Sequence, residues 1–205
     1  VIGGAPLAID LPAFAAEIER AEPVLKEMRE RMRLVVDLSA RNVENATGGP
    51  FAAAVFRASG ALVSVGVNAV VRLNNPVLHA ETTALMRAAA RLRRYSLASG
   101  GASDASAPAP AGAAAAGGEP MELYTSCEPC AMCLGAILWS GVQRVIFAAR
   151  RDDAERLGFD EGPVFPETFA YLRRRGIRVE GGPLRREAVQ VLERYRSLGG
   201  PIYNG

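Results

Sequence analysis

The chain has 205 residues, 24 Lys and Arg against 22 Asp and Glu, and a formal net charge of +2. That length holds one sizeable core, and so even a charge balance gives the whole molecule no pull toward a polyanion. Hydrophobic residues at 49% and charged residues at 22% exclude a disordered or collagen-like chain, and long uncharged stretches such as 105–118 and 129–143 are too short and too broken by Gly or Pro to span a bilayer.

Residues 1–6 carry neither a basic flank nor a long apolar run, so no secretory leader and a cytoplasmic location are expected. The first predicted element is helical, over 10–42: Asp10 can cap it, Pro12 suits its first turn, and Leu25, Met28, Met32, Val35 and Val36 recur at helical spacing. Pro23 should split it in two. After the loop Gly48-Gly49-Pro50, the segments 51–57 and 61–68 flank Ala58-Ser59-Gly60 and predict an antiparallel hairpin of largely buried strands. Asn74-Asn75-Pro76 then precedes a predicted helix over 79–95, with Leu85, Ala88 and Leu92 as its core stripe. Residues 99–120 are almost entirely Ala, Gly, Ser and Pro; such a stretch buries too little apolar surface to offset its ordering entropy and reads as a dispensable, disordered insertion in a single domain over 1–205. Beyond it come a strand at 121–125, a helix at 130–140, a strand at 142–149, a helix at 165–175 and a short strand at 176–180. A hairpin followed by alternating units predicts an α/β protein, a three-layer α/β/α sandwich around a mixed five-stranded sheet whose later strands run parallel.

The chemistry concentrates in two short segments. All three cysteines, Cys127, Cys130 and Cys133, lie within seven residues, and His79 is the single histidine. An odd, clustered set of cysteines suits metal ligation better than a disulfide framework. Both His79-Ala80-Glu81 and Pro129-Cys130-Ala131-Met132-Cys133 fall at predicted helix N-termini. Two cysteines three apart in a first helical turn share a face, and the helix end favours thiolate over thiol. One imidazole and two thiolates fill three tetrahedral positions of a zinc ion and leave the fourth for water, the mark of a catalytic rather than a structural site. Glu81 is not needed as a ligand and is placed to shuttle protons. H-x-E followed by P-C-x-x-C is the established signature of zinc deaminases.

Gly48 through Val55, Asn68, His79-Ala80-Glu81 and Tyr124 through Ile137 together resemble the cytidine and deoxycytidylate deaminase superfamily, most closely its bacterial guanine deaminase branch. The resemblance runs from about residue 40 to the C-terminus and skips 99–120. It implies a cytidine deaminase-like fold, zinc as cofactor, a homodimer, and hydrolytic deamination of a free purine base, guanine giving xanthine and ammonia. Carried over by position, His79, Cys130 and Cys133 hold the metal and Glu81 moves protons. Asn68 hydrogen-bonds the base, Phe51 and Trp139 line the pocket, Glu161 lies near the leaving amine with Asp160 as its rival, and Tyr203 closes the pocket, in cis or across a dimer.

Each assignment has a plainer counterpart. Phe51 and Trp139 suit core packing, Asn68 a turn after a strand, and 160–161 a solvated loop. Cys127 forms a second CxxC with Cys130, but Pro129 sets the register of the motif and makes Cys127 a small buried thiol. Arginines at 91, 93, 94, 150, 151, 173–175, 185 and 186 would trace an RNA-binding surface, were they not diluted by Asp152, Asp153, Glu155 and Glu187. Nucleic acid is therefore not the expected partner. Still open are other rings (cytosine, cytidine, guanosine, an aminotriazine), a tRNA adenosine, and a binding module with a structural zinc.

Overall fold

The computed structural model describes residues 9–98 and 118–203; the expectation of a disordered insertion falls, over 99–117, outside the described residues. Helices α1 (Ala13–Ala21) and α2 (Met28–Glu44) come first, then strands β1 (Ala52–Arg57) and β2 (Leu62–Val67) and helix α3 (Ala80–Leu92). Strand β3 (Met121–Cys127), α4 (Ala131–Ser140), β4 (Arg144–Ala149), α5 (Arg151–Glu155), α6 (Pro166–Arg174), β5 (Arg178–Gly181) and α7 (Arg185–Ser197) complete the order. The sheet runs β2-β1-β3-β4-β5. β1 is antiparallel to both β2 and β3, and β3, β4 and β5 are parallel, the mixed five-stranded sheet expected.

Strand alternation divides the core into two layers. Ala52, Ala54, Phe56, Tyr124 and Ile146 point to one face and pack with Met32, Val35, Leu192 and Tyr195 of α2 and α7. Ala53, Val55, Leu123 and Val145 point to the other, where Ala84, Leu85, Leu134, Ile137 and Leu172 of α3, α4 and α6 cover them. Strands buried on both faces read as apolar runs rather than as alternation, which is why Ala52–Val55 shows no polar residue. α3 lies very close to the sheet because Gly66 has no side chain: a Cβ there would sit 2.2 Å from the carbonyl oxygen of Ala80 and 2.5 Å from the nitrogen of Ala84. Ser64 fastens the contact, its hydroxyl donating to the Ala84 carbonyl at 2.8 Å. The start of α3 is thereby fixed against the hairpin.

The break at Pro23 is as expected, with a reason beyond proline itself. The link between α1 and α2 is extended and adds to the hairpin: the Leu25 amide donates to Gly60 and the Leu62 amide to Pro23. Arg31 of α2 reaches back to the carbonyls of Leu25, Lys26 and Ala58 and pairs with Glu122 of β3 at 2.7 Å. Asp10 does not cap α1. Pro12 occupies the N-cap position, with no side-chain cap. Helices α5 and α7 lie beyond the elements expected from sequence: α5 is a short turn at the end of β4, and the stripe of α7, Ala188, Val191, Leu192 and Tyr195, is set among arginines that mask it. Among the described residues no helix is long and apolar enough to cross a membrane.

Candidate active site

Two helix N-termini meet where β3 ends. His79 and Cys130 occupy the N-cap positions of α3 and α4, with closely similar extended backbones (φ −67°, ψ 164° and φ −67°, ψ 172°), and neither side chain caps its helix. Freed from capping, the side chains face each other. The Sγ atoms of Cys130 and Cys133 lie 3.5 and 3.7 Å from Nδ1 of His79, and the three candidate ligand atoms all fall within 4.8 Å of one another. Both helix ends direct partial positive charge at the sulfurs. A nitrogen and two sulfurs gathered this closely suit a tetrahedral ion such as zinc, with one position open.

Glu81, in the first turn of α3, is buried beside this cluster. Thr125 of β3 donates to one carboxylate oxygen at 3.0 Å and the Cys133 thiol to the other at 3.4 Å. Burial first, then the negative charge of Cys130, raise the Glu81 carboxyl above its ordinary range. The sulfurs divide the proton inventory unequally. Hydrogen bonding from Cys133, helped by His79, holds the Cys130 thiol down at about 4 against the opposing effect of burial. The neighbouring Cys130 sulfur first, then burial, pushes the Cys133 thiol well up. Burial would lower His79, but its hydrogen bond to Cys130 and the charges of Cys130, Glu81 and Glu161 outweigh that and raise it. Metal binding to such a set must displace protons.

A narrow cleft with about 30 Å³ of free space opens over the cluster and is lined by Phe51, Asn68, His79, Glu81, Cys130, Glu161 and Tyr203, together with Cys127, Glu128, Phe159 and Asp160. Asn68 is buried where β2 ends, its backbone nitrogen donating to Phe51 and its carbonyl accepting from Asn42. Glu161 is buried, and its carbonyl accepts from the Ala131 amide at the start of α4. Burial, then the charges of Cys130 and Glu81, push its carboxyl to about 8. Asp160 instead shapes the turn, accepting from the Gly162 amide at 2.8 Å. Phe159 meets Phe51 edge-on at 5.0 Å and Tyr203 at 5.4 Å, and Tyr203 stands over His79 at 6.5 Å.

Residues 25–149 match the family model of the cytidine and deoxycytidylate deaminase zinc-binding region. The chain belongs to this deaminase family. A guanine deaminase from Bacillus subtilis is 35% identical over 66% of this chain and 73% of its own. A solved guanine deaminase from Nitrosomonas europaea is 40% identical, covers 94% of this chain and 97% of its own, and superposes with a TM-score of 0.81. Another solved chain, in complex with 2,6-diaminopurine, is 41% identical, covers 96% of both chains and has a TM-score of 0.83.

Within this deaminase, one expected pocket residue lies elsewhere. Trp139 is 74% exposed and borders a separate apolar groove with Val77, Met86, Tyr95, Met132 and Ala136. Helical phase is the reason: α4 turns Leu134 and Ile137 into the core and Cys133 toward His79 and Cys130, so Trp139 shares the outer face with Met132 and Ala136. Cys127 lines the cleft but stays outside the ligand cluster, its thiol directed at the Arg150 carbonyl at 3.5 Å. Sequence reasoning gave Thr125 and Phe159 no role of their own, although both lie in segments that carry the resemblance, and passed over Asn42. Thr125 looks like any strand threonine, and the amide of Asn42 reveals its job only in space, donating to the carbonyls of both Gly49 and Asn68.

Proposed function

We propose that this enzyme deaminates a free purine base, converting guanine and water to xanthine and ammonia, with zinc held by His79, Cys130 and Cys133. The observation that carries the reading is Glu81, buried and held by Thr125 beside the His-Cys-Cys cluster at the floor of an aromatic cleft. When bound, the zinc supplies Lewis-acid activation of a water molecule in its open position. Glu81, whose carboxyl is raised above its ordinary range by burial, accepts a proton from the attacking water and returns it toward the ring nitrogen and the departing amine. Glu161 offers a second carboxyl near the departing group. Asn68 reads the ring edge, and Phe51 and Tyr203 enclose the faces of the base. Guanine is favoured over other rings because the two guanine deaminases align at 35% and 40% identity over most of their length.

A homodimer is part of the proposal. The exposed apolar groove of α3 and α4, centred on Trp139, is the face it would use. Ammonia release from guanine, guanosine, adenine, cytosine, cytidine and tRNA tests the substrate assignment. Release from guanine is expected. Release from cytosine or tRNA with none from guanine would transfer the chemistry to another ring, and a zinc-loaded protein inert toward all of them would favour a binding module.

A further inference from the structure

The C-terminal strap reaches the cleft by a shaped path. α7 ends at Ser197, Gly199 takes a positive φ of 71°, and Gly200 lies flat against Tyr195, where a Cβ would be 2.4 Å from the ring. Tyr195 then donates its hydroxyl to the Pro201 carbonyl at 2.7 Å, which brings Tyr203 over the cleft. Its hydroxyl is buried without a hydrogen-bond partner among the described residues, so something other than a polar contact holds the ring in place. That something is shape. An ideal Cβ on Gly49 would fall 2.0 Å from the Tyr203 hydroxyl oxygen and 2.9 and 3.0 Å from two ring carbons, with no other atoms among its three nearest neighbours.

We propose that Gly49 is a positioning residue for this site: its missing side chain forms the seat that receives Tyr203 and lets the chain's own C-terminal strap close over the base. The seat is rigid. The Gly49 carbonyl accepts from the Phe51 amide at 2.8 Å and from the Asn42 side-chain amide at 2.8 Å, and Asn42 itself is fully buried. The neighbouring glycine serves a different purpose. A Cβ on Gly48 would strike the Asn68 carbonyl at 1.9 Å, so that residue keeps two backbone segments together, whereas the atoms nearest to a Cβ on Gly49 all belong to the Tyr203 side chain. Gly49 has no positive φ, so alanine suits its backbone and should displace the strap alone. Substrate class follows, resting on the deamination of a free base proposed above: with the strap seated the cleft holds only about 30 Å³, so a bare base needs less displacement of the strap than one that carries a sugar.

The test is hydrogen exchange of the C-terminal peptide together with steady-state kinetics on zinc-loaded Gly49→Ala, Tyr203→Ala and the double variant. Exchange over 198–203 should rise in Gly49→Ala to the level of Tyr203→Ala, while β1 and β3 stay protected. The KM for guanine should rise about tenfold with kcat within about threefold, the preference for guanine over guanosine should narrow, and the double variant should match either single one. Unchanged strap exchange in Gly49→Ala, or additive effects in the double variant, would overturn the seat. If Gly49→Ala loosens β1 as well, Tyr203→Ala with Gly49 intact decides: a strap as protected as in the parent would overturn the proposal. Strap release by these variants in a protein that never deaminates guanine would uphold the seat and sink the substrate reading instead.

Discussion

The floor and the wall of the cleft are built by different means. The floor is local: His79 with Glu81, and Cys130 with Cys133, come as two short motifs, each at a helix N-terminus whose start fixes its geometry. The wall is remote. Phe51 and Asn68 flank the hairpin, Phe159 and Glu161 follow α5, and Tyr203 arrives after α7. A floor of this kind sets which bond is broken, whereas a wall assembled from distant segments can change with little effect on the floor, so ring choice and chemistry should separate under mutation.

The largest effect should come from dismantling the floor. Cys130→Ala combined with Cys133→Ala leaves one candidate ligand and should abolish both zinc retention and turnover, as measured by metal analysis beside ammonia release. Full zinc content in that variant would remove the cluster from the account. Loading zinc into chelator-stripped protein should also release at least one proton per ion at pH 7, because Cys133 is held protonated there, and affinity should fall as pH is lowered and protons compete. A pH-indicator titration reads both. A smaller effect is expected one layer out. Thr125→Val removes a hydrogen bond to the Glu81 carboxylate worth about 1.5 kcal/mol, or roughly tenfold in kcat, with zinc content and KM unchanged; an unchanged kcat would show that Glu81 needs no such support.

The same division explains what the sequence makes legible. The floor is readable because its residue types are rare here, one histidine and three cysteines, and because a helix start ties spacing to direction. The wall is readable only through family resemblance, and Trp139 shows the limit of that route: helical phase from Cys133 already places it on the outer face of α4, beside Met132 and Ala136. Strand types and order follow from turn residues and apolar runs, but α7 was hidden by the arginines that flank its apolar stripe. Thr125 and Asn42 carry no local mark, because Thr125 meets Glu81 from 44 residues away and Asn42 ties Gly49 to Asn68, 26 residues from itself.

The smallest expected effect lies outside the cleft. Asp153 is buried and accepts from the Arg185 guanidinium and the Arg150 backbone amide, and the hydrogen bond from Arg185, against the opposing effect of burial, lowers its carboxyl below the ordinary value. A carboxyl depressed in the folded state stabilises above its unfolded pKa, near 3.8, and that stability drains away as pH falls through the lower folded value. Asp153→Asn should therefore reduce the thermal midpoint modestly at pH 7, and the gap to the parent should close under acid conditions. A gap independent of pH would assign the loss to packing. Deamination by the zinc-loaded variant should be unaffected.

The separation of chemistry from recognition is tested most directly by titrating guanine into zinc-loaded Glu81→Gln while following xanthine formation. Zinc content and guanine affinity should stay within a few-fold of the parent, and turnover should fall by roughly 100-fold or more. Turnover near that of the parent, or loss of guanine binding in step with loss of turnover, would contradict the account.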